Sequence, residues 1–405
     1  MIPHPPPLSL YVHIPWCVRK CPYCDFNSHE QRGDIPEREY IDALVADLEA
    51  SLADVWGRRV HSIFIGGGTP SLFKPSSIDH LLTAIRTRVH VNAESEVTME
   101  ANPGTFEAER FKGYREAGVN RLSIGVQSFD DDKLAAIGRI HGGAEARRAV
   151  ASAIEIFGNV NIDLMYALPG QTPGQSAADI REAIAFGAPH ISAYHLTLEP
   201  GTPFHRNPPS VPEDDIAADM QDSLEAAFAA AGYEHYETSA FAKKGFRSRH
   251  NLNYWTFGDY LGIGAGAHAK VSFLEGIRRE VRLRQPQAYM RAALSGKPLL
   301  EAREVAEGEL AFEFMLNALR LVEGFPIALF TERTGLAMLA IEPQMKEAEA
   351  LGLIERNHEW VRPTDKGRRF LNDLLERFLP RAGAKAHIPI VKVANLEPRP
   401  SGRGT

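Results

Sequence analysis

The chain has 405 residues, 24% charged and 44% hydrophobic, which suits two or three globular domains and excludes collagen-like or wholly disordered chains. Forty-five basic residues against fifty-two acidic ones give a formal net charge of -7, which argues against wholesale attraction to nucleic acid or anionic lipid. No apolar run reaches the roughly eighteen residues of a membrane span, the first residues do not read as a signal peptide, and three cysteines make no disulfide framework, so a cytoplasmic protein is expected.

In chain order, short apolar runs at 10–14, 62–65, 96–100, 121–126, 160–166 and 190–196 predict strands. Each precedes a stretch of helical spacing, at 38–52, 77–89, 105–117, 130–157, 172–186 and 214–231. Six β-α units predict an α/β fold, a parallel sheet forming an incomplete (β/α)6 barrel over 1–235, with a doubly wound open sheet as the alternative. Residues 236–300 read as a connecting segment. Helices at 310–321, 326–332 and 341–351, strands at 352–355 and 360–364 and a helix at 365–379 predict a helical, winged-helix-like domain over 301–380. Such domains often bind nucleic acid, but 301–323 carries six acidic and two basic residues, so protein contact or packing is the expected role. Residues 381–405, rich in Pro, Gly and basic residues, predict a disordered tail.

All three cysteines lie in Cys17-Val18-Arg19-Lys20-Cys21-Pro22-Tyr23-Cys24, in the loop after the first strand. Three thiolates on a short loop suit three irons of a cubane cluster and leave the fourth iron open to a ligand. A structural zinc site wants four closed ligands and would have to recruit His13, Asp25 or His29. The spacing therefore favours a cluster that does chemistry.

The C-x3-C-x2-C spacing, with Tyr11 upstream and Tyr23 before the last cysteine, resembles the radical S-adenosylmethionine superfamily. The segments Gly66-Gly67-Gly68-Thr69-Pro70, Glu100-Ala101-Asn102-Pro103, Gly125-Val126-Gln127-Ser128-Phe129 and Ile162-Asp163-Leu164-Met165-Tyr166-Ala167-Leu168-Pro169-Gly170-Gln171-Thr172 resemble the oxygen-independent coproporphyrinogen III oxidase family, and within it the HemW-type heme chaperones. The resemblance implies a [4Fe-4S] cluster on Cys17, Cys21 and Cys24, with S-adenosylmethionine chelating its open iron. One electron then splits the sulfonium to a 5′-deoxyadenosyl radical. It further implies cofactor contacts from Tyr11, Tyr23, Gly67, Gly68, Thr69, Glu100, Gln127, Arg139 and Asp163. Taken alone, the glycine run reads equally as a tight strand-helix connection, any one carboxylate as a salt-bridged core group, and Arg139 as a helix cap. Polar groups at successive strand ends, with Tyr194 and His195 on the sixth strand, favour a shared ligand. No catalytic residue is assigned.

Two features depart from the porphyrinogen-oxidising members, which carry a fourth cysteine where this chain has Phe26 and a much longer segment before the cluster. The chaperones instead carry H-N-x-x-Y-W, here His250-Asn251-Leu252-Asn253-Tyr254-Trp255. A histidine can ligate heme iron, aromatic rings can pack on the macrocycle, and Lys243, Lys244, Arg247 and Arg249 could pair with propionates. His250, Asn251, Tyr254 and Trp255 are thus the heme candidates. The run Leu261-Gly262-Ile263-Gly264-Ala265-Gly266-Ala267-His268 suits either backbone approach to adenine or tight packing. The expected function is heme delivery to respiratory apoproteins, with an electron donor as a further partner and no nucleic acid. Peripheral membrane association and a homodimer are left open, and the rival is coproporphyrinogen III oxidation.

Overall fold

The computed structural model describes residue 2 and residues 4–105 and 108–380; the tail expected at 381–405 lies outside the described residues. Six strands alternate with helices, namely β1 (Leu8–Ile14), β2 (Arg59–Gly67), β3 (His90–Ala101), β4 (Arg121–Gln127), β5 (Val160–Tyr166) and β6 (His190–His195). The helices are α1 (Glu37–Ser51), α2 (Pro75–Arg86), α3 (Ala108–Ala117), α4 (Gly143–Phe157), α5 (Pro173–Phe186) and α6 (Asp214–Ala230), with a short helix Asp131–Ala136 before α4. β1 and β5 are buried along nearly their whole length. That is the state of a parallel strand covered on both faces, and it explains their unbroken apolar runs.

The stretch 236–300, read from sequence as a connector, is built into the same sheet. It carries β8 (Ala240–Ala242), which follows β7 (Glu234–Glu237), then α7 (Arg249–Trp255), β9 (Asp259–Ile263), β10 (His268–Ser272), β11 (Ile277–Arg282) and α8 (Pro286–Leu294), with β12 (Leu299–Glu304) close behind. The sheet order is β12-β11-β10-β9-β1-β2-β3-β4-β5-β6-β8-β7, an incomplete barrel that does not close. β9 lies parallel to β1, so seven adjacent strands run parallel where six were expected. The glycines at 262, 264 and 266 hid β9, because glycine erases the β-branched signature by which a strand is read.

A buried ion network ties this late segment to the first helix. Arg282 on β11 is fully buried and donates to Asp47 of α1 at 3.2 Å, Glu280 at 2.7 Å and the Ser51 hydroxyl at 3.0 Å. The other Asp47 oxygen accepts from Gly264 N at 3.1 Å and Tyr289 OH at 2.7 Å.

The C-terminal unit has its own core, in which Phe314 of α9 (Glu307–Ala318) meets Phe325 and Phe330 edge-on. Helices α10 (Ile327–Thr334) and α11 (Glu342–Ala350) pack with a three-stranded wing of β13 (Phe325–Pro326), β15 (Trp360–Pro363) and β14 (Ile354–Arg356). Two short helices, Asp365–Arg369 and Leu371–Glu376, replace the single helix expected at 365–379. Acidic residues of the 301–323 stretch are spent on docking: Glu313 pairs with Arg279 at 2.6 Å and Glu323 with Arg247 at 2.7 Å. Among the described residues no helix is long and apolar enough to cross a membrane.

Replacing Arg282 with Ala would leave Asp47 without a cation in the core, while Glu280 keeps Arg278 at 2.8 Å. We expect a loss of about 3–5 kcal/mol in anaerobic denaturant unfolding, the usual cost of breaking a buried pair by removing one partner.

Candidate functional site

The strand ends position the site. β1 and β2 finish in register, Ile14 beside Gly67, and the chain leaving β1 is then fastened on both sides. Gly68 N donates to Ile14 O at 2.7 Å and Thr69 N to Trp16 O at 2.7 Å. His29 N donates to Pro15 O at 2.7 Å and Gln31 N to Cys17 O at 2.8 Å, closing a small parallel pairing of Trp16–Cys17 with His29–Glu30. Residues 18–28 are therefore a loop with clamped ends; Cys17 sits at the clamp and Cys21 and Cys24 on the loop, all as free thiols. A side chain at Gly68 would place its Cβ 2.5 Å from Trp16 O, so only glycine permits this approach.

The three thiols line a cavity of about 380 Å³ with Tyr23, Gly67, Gly68, Thr69, Glu100, Gln127, Arg139 and Asp163. These are the cluster and cofactor residues proposed from sequence, with one exception, Tyr11. Tyr194 and His195 line the same cavity.

Glu100 and Asp163 face one another electrostatically across it. Burial, then Asp163, push the Glu100 carboxyl up to about 8, against the Gly67 N–H that donates to it at 3.0 Å. Burial also raises Asp163, opposed by hydrogen bonds from Ser123 and Asn161, each 2.8 Å. Neither carboxylate has an ion-pair partner among the described residues. Gln127 adopts a left-handed backbone (φ 68°) where the β4–β5 register shifts, and this re-aims its amide off the strand. Gly125 leaves room there, since a Cβ would lie 3.1 Å from the Gln127 amide and 3.3 Å from Arg139. Arg139 reaches Cys21 Sγ at 3.7 Å and Gly125 O at 2.5 Å, while its Nε is buried without a partner.

Burial raises the Cys17 and Cys24 thiols, so iron must displace their protons on binding. His13, a candidate for a zinc site, has both ring nitrogens engaged, with Tyr11 OH at 3.0 Å and Asn27 O at 2.9 Å.

A second cavity, of about 670 Å³, lies beside the first and shares Asp25, Phe26 and Ser28 with it as a common wall. Tyr11 faces this cavity and not the thiols, its ring stacked on Phe64, because it stands in the middle of β1 and not at the end. Tyr254 and Trp255 also line it.

His250, the iron ligand expected from the sequence, does not line this cavity. It is buried under the sheet with Nδ1 on Ser62 Oγ and Nε2 on Tyr254 OH, both 3.0 Å, and burial holds its pKa down at about 3. Asn251 stands in the first turn of α7, its backbone N–H donating to the Ser248 hydroxyl, and does not line the second cavity. Three of the four basic residues proposed for propionates are engaged elsewhere: Arg247 with Glu234 and Glu323, Arg249 with Glu94 O, and Lys243 over the Tyr233 ring; Lys244 does not line the second cavity. The glycine run 261–268 packs tightly: a Cβ on Gly264 would strike His13 O at 2.4 Å, and one on Gly266 the Asn27 amide at 2.3 Å. Sequence reading gave no site role to Lys20, Tyr260, His268, Arg279 or Arg284, which line the second cavity; Lys20 and His268 lie in segments it singled out, but the five meet only in the fold.

Residues 11–183 match the radical SAM superfamily and residues 305–370 the HemN C-terminal domain. The chain is 49% identical over 384 residues to heme chaperone HemW of Haemophilus influenzae, covering 93% of this chain and 99% of that one. Heme chaperone HemW of Escherichia coli is 48% identical over 376 residues, covering 92% and 98% of the two chains. The chain belongs to the HemW family. A HemW protein from Bacillus subtilis is 35% identical over 92% of this chain and 99% of its own. Among solved structures, coproporphyrinogen III oxidase HemN from E. coli shares the fold at TM-score 0.79 and 23% identity, over 92% of this chain and 90% of that one. The radical SAM match of this HemW family member implies a [4Fe-4S] cluster and S-adenosylmethionine. The cavity fits them: an unpartnered guanidinium nitrogen, a glycine cradle and two buried carboxylates without counter-ions complement a zwitterionic, cationic ligand.

The folded chain holds a Glu100 proton that the unfolded chain has lost between pH 4.5 and about 8, so stability from this group is present at low pH and declines through that window. In thermal unfolding without cofactors, Glu100→Gln should lose less Tm than the parent between pH 6 and 9. Equal losses would remove the assignment. Alanine at Cys17, Cys21 or Cys24 should each abolish stoichiometric iron and sulfide uptake, read by metal and sulfide analysis of anaerobically reconstituted protein.

Proposed function

We propose that this protein is a heme chaperone that holds a [4Fe-4S] cluster and S-adenosylmethionine in the first cavity and heme in the second. It delivers the heme to apoproteins of the respiratory chain, and a one-electron donor serves the cluster. Cys17, Cys21 and Cys24 would hold three irons. Gly67, Gly68 and Thr69 would receive the methionyl amino and carboxylate groups, Asp163 the ribose hydroxyls, and Glu100, Gln127, Arg139 and Tyr23 the rest of the cofactor. When bound, the cluster supplies one-electron reduction of the sulfonium.

The chain's own residues prepare that site. Glu100, with its raised pKa, offers a carboxyl that ionises when a cation approaches and stays neutral otherwise. Ser123 and Asn161 fix both oxygens of Asp163. The clamped ends of the 18–28 loop limit how far the thiols can move.

The observation that carries the heme reading is the second cavity beside the thiol loop. Tyr254, Trp255, Tyr260 and Phe26 supply flat apolar surface for a macrocycle, and its volume lies in the range of small-molecule sites. Phe26, 62% exposed, forms part of the wall common to both cavities.

One anaerobically reconstituted preparation should be assayed in parallel for heme binding and for conversion of coproporphyrinogen III to protoporphyrinogen IX. The expected outcome is about one heme per chain without conversion. Conversion at a catalytic rate would overturn the chaperone reading in favour of oxidation.

A further inference from the structure

The second cavity holds three imidazoles, and their hydrogen bonding separates them. His13 is engaged at both nitrogens and 5% exposed. His29 directs Nε2 at Arg284 O, 3.3 Å away, which leaves Nδ1 free among the described residues, but its side chain is less exposed than that of His268. His268 has no hydrogen-bond or ion-pair partner among the described residues, and its side chain is exposed at the cavity wall. It stands at the start of β10, two residues before Lys270, which lines the same cavity, as alternation along a strand requires.

The charges around it are also uneven. Arg279 is neutralised by Glu313 and Lys270 by Asp259. Lys20 and Arg284 have no carboxylate partner among the described residues: the Lys20 ammonium rests on Phe26 O at 2.9 Å and Ser28 O at 3.4 Å. The cavity thus offers an imidazole free at both nitrogens, two cations without an ion pair among the described residues, a single unpaired carboxylate at the Asp25 wall and aromatic surface from Tyr254, Trp255 and Tyr260. That set complements a flat macrocycle with a ligand-seeking metal at its centre and two carboxylates at its edge.

We propose that His268 supplies the axial nitrogen to the iron of heme bound in this cavity, with Lys20 and Arg284 pairing its propionates. The assignment rests on the heme reading above and goes beyond it by replacing His250, which is buried under the sheet. It also gives the aromatic half of the H-N-x-x-Y-W segment a role as wall while its histidine stays in the core.

The test is hemin titration of full-length, cluster-reconstituted protein, parent against His268→Ala, His268→Met and Lys20→Ala/Arg284→Ala. Readouts are stoichiometry, dissociation constant, and axial ligation by electron paramagnetic resonance and magnetic circular dichroism, with iron and sulfide content confirming that each variant retains its cluster. We expect His268→Ala to weaken binding at least ten-fold, to lose the histidine-ligated signature and to regain it with added imidazole. His268→Met should bind with a changed signature, and the double variant should weaken binding while keeping the histidine signature. Should His268→Ala fail to fold, His268→Met alone decides, since a methionine-type signature supports the assignment and an unchanged one overturns it. A parent that binds heme with a signature indifferent to both His268 variants overturns the assignment and leaves the chaperone reading standing. A parent that binds no heme overturns that reading itself.

Discussion

Four backbone hydrogen bonds decide where everything else in the site can be. Gly68 and Thr69 donate back to Ile14 and Trp16, and His29 and Gln31 donate to Pro15 and Cys17, so the segment from 14 to 31 is fixed at both ends between β2 and its own return. Ladder-type bonds of this kind are cheap individually, but here they leave no slack in the loop between them. The thiols are thereby presented over the strand ends that carry Glu100, Gln127 and Asp163. The returning part, Asp25 to Ser28, becomes the wall between the two cavities.

The cavities differ in the charge they are built to meet. Glu100 and Asp163 are buried in the first without ion partners, and burial raises both, a cost that an approaching cation relieves. The second is edged by Lys20 and Arg284, neither of which forms an ion pair among the described residues, with Asp25 on the wall it shares with the first. Phe26 lies on the boundary between them with Asp25 and Ser28.

The H-N-x-x-Y-W segment is divided between structure and surface. Glu96 accepts from the N–H groups of Arg249 and His250, and Ser248 from Asn251, so α7 begins on a charged cap. Asn253 then bonds Ser9 Oγ at 2.9 Å and Asp259 O at 2.8 Å, and Ser9 joins Ser62, which holds His250. This buried polar chain fixes the rotation of α7. Tyr254 and Trp255 are presented to the second cavity as a consequence, and Arg320 of the C-terminal unit covers the indole at 4.3 Å.

Much of this was legible in the amino-acid order. The six apolar runs became six parallel strands, because a strand buried on both faces must be apolar along its length. The cysteine spacing, the glycine run and the polar residues at strand ends named about half of the lining of the first cavity, because local motifs at equivalent positions of a parallel sheet converge on one face. Tyr11 and His250 escaped this reading. Each belongs to a recognisable motif, yet which way its side chain turns depends on register against β2 and on partners such as Ser62, distant in the chain. The second cavity was invisible for the same reason: Lys20, Tyr260, His268 and Arg284 come from three separated segments that meet only when β9 pairs with β1. Sequence alone determined the thiol loop and its parallel sheet; tertiary pairing decided which imidazole is buried and which is free, since hydrogen-bond saturation is a property of neighbours in space.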